Sequence, residues 1–199
     1  MNFLAHLYLS GDHPKIMIGN FIGDFVKGRN FDAHYEPAIA KGIELHRMID
    51  VFTDTHDTVQ QSKNRLRAKY RHYAGVIVDV FYDHFLAKNW DLYHPSALAV
   101  FAQHAYQTMD DHKPVLPEDV LRMLPYMKKD NWLVNYGSLY GIEQSLNGLA
   151  RRTRYESNME QAIVDLKESY TAFDTEFQSF FPELKSYAET FIRNHLSNF

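Results

Sequence analysis

YESNMEQAIVDLKESYTAFDTEFQS, residues 155–179, places Met159, Ile163, Leu166, Tyr170, Phe173 and Phe177 at steps of three and four. That spacing lines large apolar side chains along one helix face and leaves the charged residues on the other. The same period runs through nearly the whole 199-residue chain. Strands would alternate over four to eight residues with β-branched enrichment, and no stretch does so convincingly. The spacing predicts helices over 2–10, 14–27, 37–53, 57–88, 95–111, 117–129, 137–152, 155–179 and 182–196. The 57–88 segment is long for one helix and is expected to break near Ser62 or Gly75. Pro14, Pro37, Pro117 and Pro182 stand at expected helix starts, where a missing N–H costs nothing. The fold class is all-α, a single-domain helical bundle over residues 1–199.

Composition narrows the function. The apolar share is 45%, enough for a real core, and the formal charge is −4, which argues against a general nucleic-acid binder. No apolar run reaches the roughly 18 residues of a membrane span. The N-terminus lacks the basic start and apolar stretch of a secretory signal, and there is no cysteine, so a cytoplasmic protein is expected. Thiolate metal sites and cysteine nucleophiles are excluded; any bound metal must use His, Asp or Glu. Residues 155–199 hold eight acids and three bases, a net of −5, so the remainder is close to +1. The body is free to carry a basic face.

Four segments set polar groups among apolar ones: His6 in Phe3-Leu4-Ala5-His6-Leu7; Gly19-Asn20-Phe21-Ile22-Gly23-Asp24; Gly42 to Asp50, running into Asp54; and Asp79 to Phe85. Asn20/Asp24, His46/Asp50 and Asp79/Asp83 are each four residues apart, one turn above another on a helix. Each pair can aim two groups at one point, and buried charge is costly unless paired or metal-bound. Taken singly, such features are usually a hydrogen-bonded core histidine or a surface pair. Other chemistries are absent: no phosphate-binding glycine loop, no H-E-x-x-H, no G-x-S-x-G and no repeated Glu-x-x-His. A second feature is basic: Lys63, Arg65, Arg67, Lys69 and Arg71, with no acid between Asp57 and Asp79, and a smaller cluster at Arg151, Arg152 and Arg154. Alone, either run reads as a solvated face; beside the acidic pairs they suggest an anionic partner. Arg47 is a candidate phosphate contact.

The opening Met1-Asn2-Phe3-Leu4-Ala5-His6-Leu7 resembles the start of the bacterial acyl carrier protein phosphodiesterases, also called ACP hydrolases. So do Gly19-Asn20…Asp24-Phe25-Val26-Lys27-Gly28, Gly42-Ile43…His46-Arg47…Ile49-Asp50…Thr53-Asp54, Asp79-Val80…Asp83-His84-Phe85-Leu86, Trp90, and Asn147-Gly148-Leu149-Ala150. They follow the family's order over almost the whole chain. The resemblance implies an all-helical, HD-domain-like metal phosphohydrolase. The expected reaction cleaves the phosphodiester joining 4′-phosphopantetheine to a serine of holo-acyl carrier protein, with Mn²⁺ the favoured cation and Mg²⁺ or Fe²⁺ alternatives. On this reading Asp24, His46, Asp50, Asp79 and Asp83 are the metal candidates. Asp24 is the candidate base, and His84, His6 or Arg47 assists the leaving oxygen. Asn20, Arg67, Lys69, Arg71 and Arg151 are expected at the substrate. Which motif residues are ligands and which orient them stays open, because the chain has Asp83-His84 where HD domains carry the reverse dipeptide. Alternatives are a phosphohydrolase of a small phosphodiester or nucleotide, and a non-catalytic binder of acyl carrier protein.

Overall fold

From Val80 to Ala87 every side chain of one helix is buried, polar Asp83 and His84 included. A helix apolar on all sides belongs at the centre of a bundle. This is α5, Ala74–Lys88, with α1 (Phe3–Tyr8), α4 (Asp57–Tyr70), α9 (Leu139–Arg152) and α11 (Tyr170–Leu196) packed around it. The computed structural model describes residues 1–196. Its other helices are α2 (Pro14–Ile22), α3 (Pro37–Thr55), α6 (Leu98–Asp111), α7 (Glu118–Lys129), α8 (Trp132–Asn135) and α10 (Ala162–Glu168). Among the described residues there is no strand, and no helix is long and apolar enough to cross a membrane. The chain is all-α.

The break expected within 57–88 is present beside Gly75, and two other boundaries differ. The 57–88 segment breaks at Arg71–Tyr73, with Arg71 at φ 53°, just ahead of Gly75. Ser62 lies mid-helix, buried against Tyr82 and Glu176. The 155–179 segment divides, because Asn158 takes a left-handed turn and the chain breaks again at Ser169. Pro182 does not start a helix but lies inside α11. It sits on the exposed face, as does Gln178, whose carbonyl it leaves without an N–H partner, so water can serve that oxygen. The apolar stripe runs on from Phe173 through Phe177, Phe180, Phe181 and Leu184 to Ala188 and holds the helix on the core.

Helices α2 and α3 cross in close contact. A Cβ added at Gly19 would lie 2.0 Å from the Ile39 carbonyl oxygen and 2.7 Å from the Gly42 Cα. One added at Gly42 would lie 2.3 Å from the Ile16 carbonyl oxygen. The two main chains therefore touch, and only glycine fits either position. This crossing sets Asn20 and His46, one residue and one turn away, against each other.

Candidate active site

Asn20 is fully buried and uses its whole side chain. Its Nδ2 donates to the His6 carbonyl (2.7 Å) and to Ser10 Oγ (3.0 Å), which fixes which end of the amide is oxygen. Oδ1 then accepts from His6 Nδ1 at 2.8 Å, and the Asn20 main-chain carbonyl accepts from His46 Nδ1 at 2.7 Å. One residue thus holds both imidazoles by the same nitrogen and turns both Nε2 atoms the same way. The rings stack at 4.0 Å, and the His46 ring lies where a Cβ on Gly23 would be, 2.2 Å from its Cγ.

Carboxylates meet those Nε2 atoms. Asp50 Oδ1 is 3.3 Å from His6 Nε2, and Asp50 Oδ2 and Asp24 Oδ1 are each 3.2 Å from His46 Nε2. His6, His46 and Asp50 each offer a ligand atom, all within 4.8 Å of one another. Asp24 stands at the solvent edge of the cluster with its side chain 69% exposed, in the short turn Gly23–Phe25 that ends α2. The Met1 amino group is buried, 3.1 Å from Asp79 and 3.7 Å from Asp50.

Burial by itself lowers the His46 pKa, but hydrogen-bonded Asp24 and Asp50 outweigh it and push it up to about 9. Burial works against the Asp50 charge too, yet His46, His6 and the Met1 ammonium hold it far below the usual carboxylate range. Asp24 is held down chiefly by its bond to His46, and His6 is pushed down by burial and by the neighbouring imidazole. Burial lowers the Met1 amino group, while Asp79 and Asp50 raise it to about 10. Of these groups, His6, His46 and Asp50 lie close enough together that they could hold a divalent cation with N/O preference.

The other expected site residues lie elsewhere. Asn20 does not face a substrate, because burial and three internal hydrogen bonds consume it. Asp83 is turned to α1, where its oxygens accept from the Leu4 N–H (2.7 Å) and Ala5 N–H (3.2 Å); burial pushes it up to about 7 against those bonds. It caps α1 rather than joining His46 and Asp50. Asp79 meets the cluster through the Met1 amino group. His84 is engaged by the Tyr136 carbonyl and the Tyr170 hydroxyl, both at 2.8 Å, away from His6 and His46. Arg47 donates to the carbonyls of Val26 (3.0 Å) and Gly28 (2.7 Å) and covers the Phe31 ring, so it clamps the loop that carries Asp24.

The basic run divides by helical period. Arg65 forks onto Glu176 at 2.7 and 2.8 Å, and Lys69, half exposed, pairs with Asp165 of α10 at 2.9 Å. Lys63, Arg67 and Arg71, each four further on, line a cavity of about 840 Å³ that also holds Asp54 and Asp79. Lys63 is tied to Asp54 at 2.6 Å; Arg67 and Arg71 are exposed. Arg151 is exposed near the end of α9, outside the cluster.

Sequence reading did not foresee what Asn20 does, nor that His6 would lie within 4.8 Å of His46 and Asp50. The spacing Gly19-Asn20-Phe21-Ile22-Gly23-Asp24 held the signal: two glycines one turn apart clear the crossing and the His46 ring, with an amide between them.

Comparison with known proteins agrees with the motifs. Residues 1–184 match the family "Acyl carrier protein phosphodiesterase". A protein of that name from Photorhabdus laumondii is 36% identical over 190 residues, 95% of this chain and 96% of the relative. Its namesakes from Yersinia enterocolitica (35%, covering 95% and 98%) and Escherichia coli O157:H7 (33%, covering 94% and 97%) are similar over the same span. No solved structure matches, and the HD-domain likeness stays an expectation from the motifs. With near-complete coverage on both sides, and with the motif residues His6, Asn20, Asp24, His46 and Asp50 gathered into one polar cluster, the chain belongs to the acyl carrier protein phosphodiesterase family.

Proposed function

We propose that the chain hydrolyses the phosphodiester between 4′-phosphopantetheine and the serine of holo-acyl carrier protein, releasing apo-protein and 4′-phosphopantetheine, with a divalent metal, Mn²⁺ first, at His6, His46 and Asp50. The observation that carries this is the convergence of His6 Nε2, His46 Nε2 and Asp50, with both histidines oriented from behind by Asn20. Such backing is characteristic of metal-binding histidines, because it fixes the tautomer and the ring plane. The donor set fits the ion: two imidazole nitrogens and a carboxylate suit Mn²⁺, Fe²⁺ or Zn²⁺. When bound, the ion supplies positive charge against phosphate oxygens and makes adjacent water more acidic.

The chain's own residues do the rest. Asp24 is ionised and reaches solvent, placed to take the proton of the water that attacks phosphorus. Arg47 keeps that carboxylate in position through the Val26–Phe31 loop. The cavity of Lys63, Arg67 and Arg71 presents positive charge beside Asp79, and a strongly acidic carrier protein would be drawn to it.

The test is mass spectrometry of holo-acyl carrier protein incubated with enzyme and Mn²⁺, and again with chelator. Loss of the whole phosphopantetheine group, abolished by chelation, is expected. Asp24→Asn should lower turnover at least about 10²-fold with the fold retained. Release of a thioester-bound acyl chain alone, or full activity after exhaustive chelation, would refute the reaction or the metal.

A further inference from the structure

A second cavity, of about 690 Å³, opens between the start of α1 and helices α8 and α9, and the chemistry described so far makes no use of it. It borders the cluster through the chain itself. The Met1 carbonyl lies 3.2 Å from His6 Nε2, and the next two residues, Asn2 and Phe3, form part of the cavity wall. Asn2 follows Met1 directly, so one residue of about 3.6 Å added to that gap starts the wall within about 7 Å of His6 Nε2.

Its lining is mixed, with Lys129, Asp130 and Arg152 beside rings and carboxamides. Phe3, Trp132 and Tyr140 give aromatic surface, and Asn131 and Gln144 give carboxamides. Among the described residues, no hydrogen bond within the protein engages either carboxamide. Gly148, from the Asn147-Gly148-Leu149-Ala150 motif, also lines the cavity, and a Cβ added there would meet nothing within 4 Å. A glycine inside a helix costs about 1 kcal/mol relative to alanine, and here no close packing in the protein requires it. What it preserves is open space along α9. The volume falls in the range of small-molecule sites.

We propose that this cavity holds the extended, amide-bearing arm of the substrate, with the aromatic rings covering its methylene and methyl groups and the Asn131 and Gln144 carboxamides pairing with its amides. The assignment rests on the reaction proposed above, whose phosphate must sit at the cluster with protein on one side and the arm on the other. The two cavities divide accordingly. The one at Lys63, Arg67 and Arg71 has charged groups and no ring but His72, and suits an acidic protein surface; the one at Trp132 and Gln144 adds aromatic rings and neutral carboxamides to Lys129, Asp130 and Arg152, and those rings and amides suit the uncharged stretch of the arm.

The absence of cysteine allows a direct test that needs no activity. In Gly148→Cys the only thiol faces the cavity; in Arg151→Cys it lies on the same helix, outside the lining. Each variant is treated with pantethine, the disulfide of two arms lacking phosphate, and with 2-hydroxyethyl disulfide, and labelling is followed by mass. The thiolate attacks the disulfide, forms the mixed disulfide and releases one thiol. Pantethine should label Gly148→Cys at least about tenfold faster than the small disulfide, with no such preference in Arg151→Cys. In kinetics, Gly148→Trp should raise KM for holo-carrier protein about tenfold with a much smaller change in kcat. Equal preference at both positions together with an unchanged KM in Gly148→Trp would overturn the arm site while leaving the reaction standing. Selective labelling in a protein that never cleaves holo-carrier protein would sink the reaction and leave a site for the arm.

Discussion

Replacing Asn20 by alanine tests whether the cluster is a metal site or only a packed polar core. Asn20→Ala removes three side-chain hydrogen bonds and leaves His46 tied to the main-chain carbonyl. Ser10 Oγ still donates to the His6 carbonyl at 2.8 Å, so those two atoms keep a partner. Only His6 Nδ1 is stranded, at about 1–3 kcal/mol, and the two weakened bonds add about 0.5–1 kcal/mol each. A total near 3 kcal/mol lowers Tm by about 6–12 °C for a chain of this size. The decisive quantity is the metal increment. Mn²⁺ at 100 times its Kd for the parent stabilises by about 2.7 kcal/mol. Releasing His6 weakens binding about 30-fold, the middle of the range for such backing partners, which leaves about 0.9 kcal/mol. Thermal unfolding with and without Mn²⁺ reads both effects. Should the variant lose stability yet keep the full Mn²⁺ increment, Asn20 merely fills the core and the orienting role assigned to it is wrong.

Three further outcomes follow from geometry. Arg67→Glu with Arg71→Glu should raise KM for carrier protein and flatten its salt dependence; Arg65→Glu should instead cost about 2 kcal/mol in denaturant unfolding, because it leaves the mostly buried Glu176 without its cation and sets a like charge beside it. His84→Ala should lower Tm through its lost bonds to Tyr136 and Tyr170 but hold kcat within about threefold, and a hundredfold loss in folded protein would return His84 to the chemistry. For pH, the Asp83 carboxyl titrates from 3.8 when unfolded to about 7 when folded, so the folded state binds the extra proton. Between roughly pH 4 and 7 its contribution to stability is lost as pH rises; in chelated protein the parent should lose stability relative to Asp83→Asn across that window, and parallel curves would contradict the buried-carboxyl account.

The helical period, carried by stripes such as Phe173 and Phe177, was sufficient to read the fold class, because burial of one face is what the period records. Breaks were less legible. Arg71 and Asn158 turn at positive φ without glycine, and Pro182 keeps its helix because surrounding aromatic contacts outweigh one lost bond. At the site, spacing on single helices located Asn20/Asp24 and His46/Asp50, but it treated every four-residue pair alike. Asp79/Asp83 has the same spacing, and α5 spends it on the amino end of α1. Which way a helix faces depends on its neighbours, and those are set by contacts across the chain that periodicity does not encode. The even spacing of Lys63 to Arg71 hid a similar division, since alternate residues on a helix fall on different faces.

The contact of Gly19 with Gly42 bears on how this site can evolve. Where side chains separate two helices, drift can resize the gap by a methylene at a time, and a polar cluster straddling it can be retuned gradually. Here main chain meets main chain, so no smaller residue exists to bring the helices closer. Any larger one must push them apart by more than a hydrogen bond tolerates. The distance between Asn20 and His46 is therefore inherited as a fixed dimension. Relatives can diverge widely on the surface without disturbing it, whereas a new spacing demands that α2 and α3 shift past one another by a whole turn.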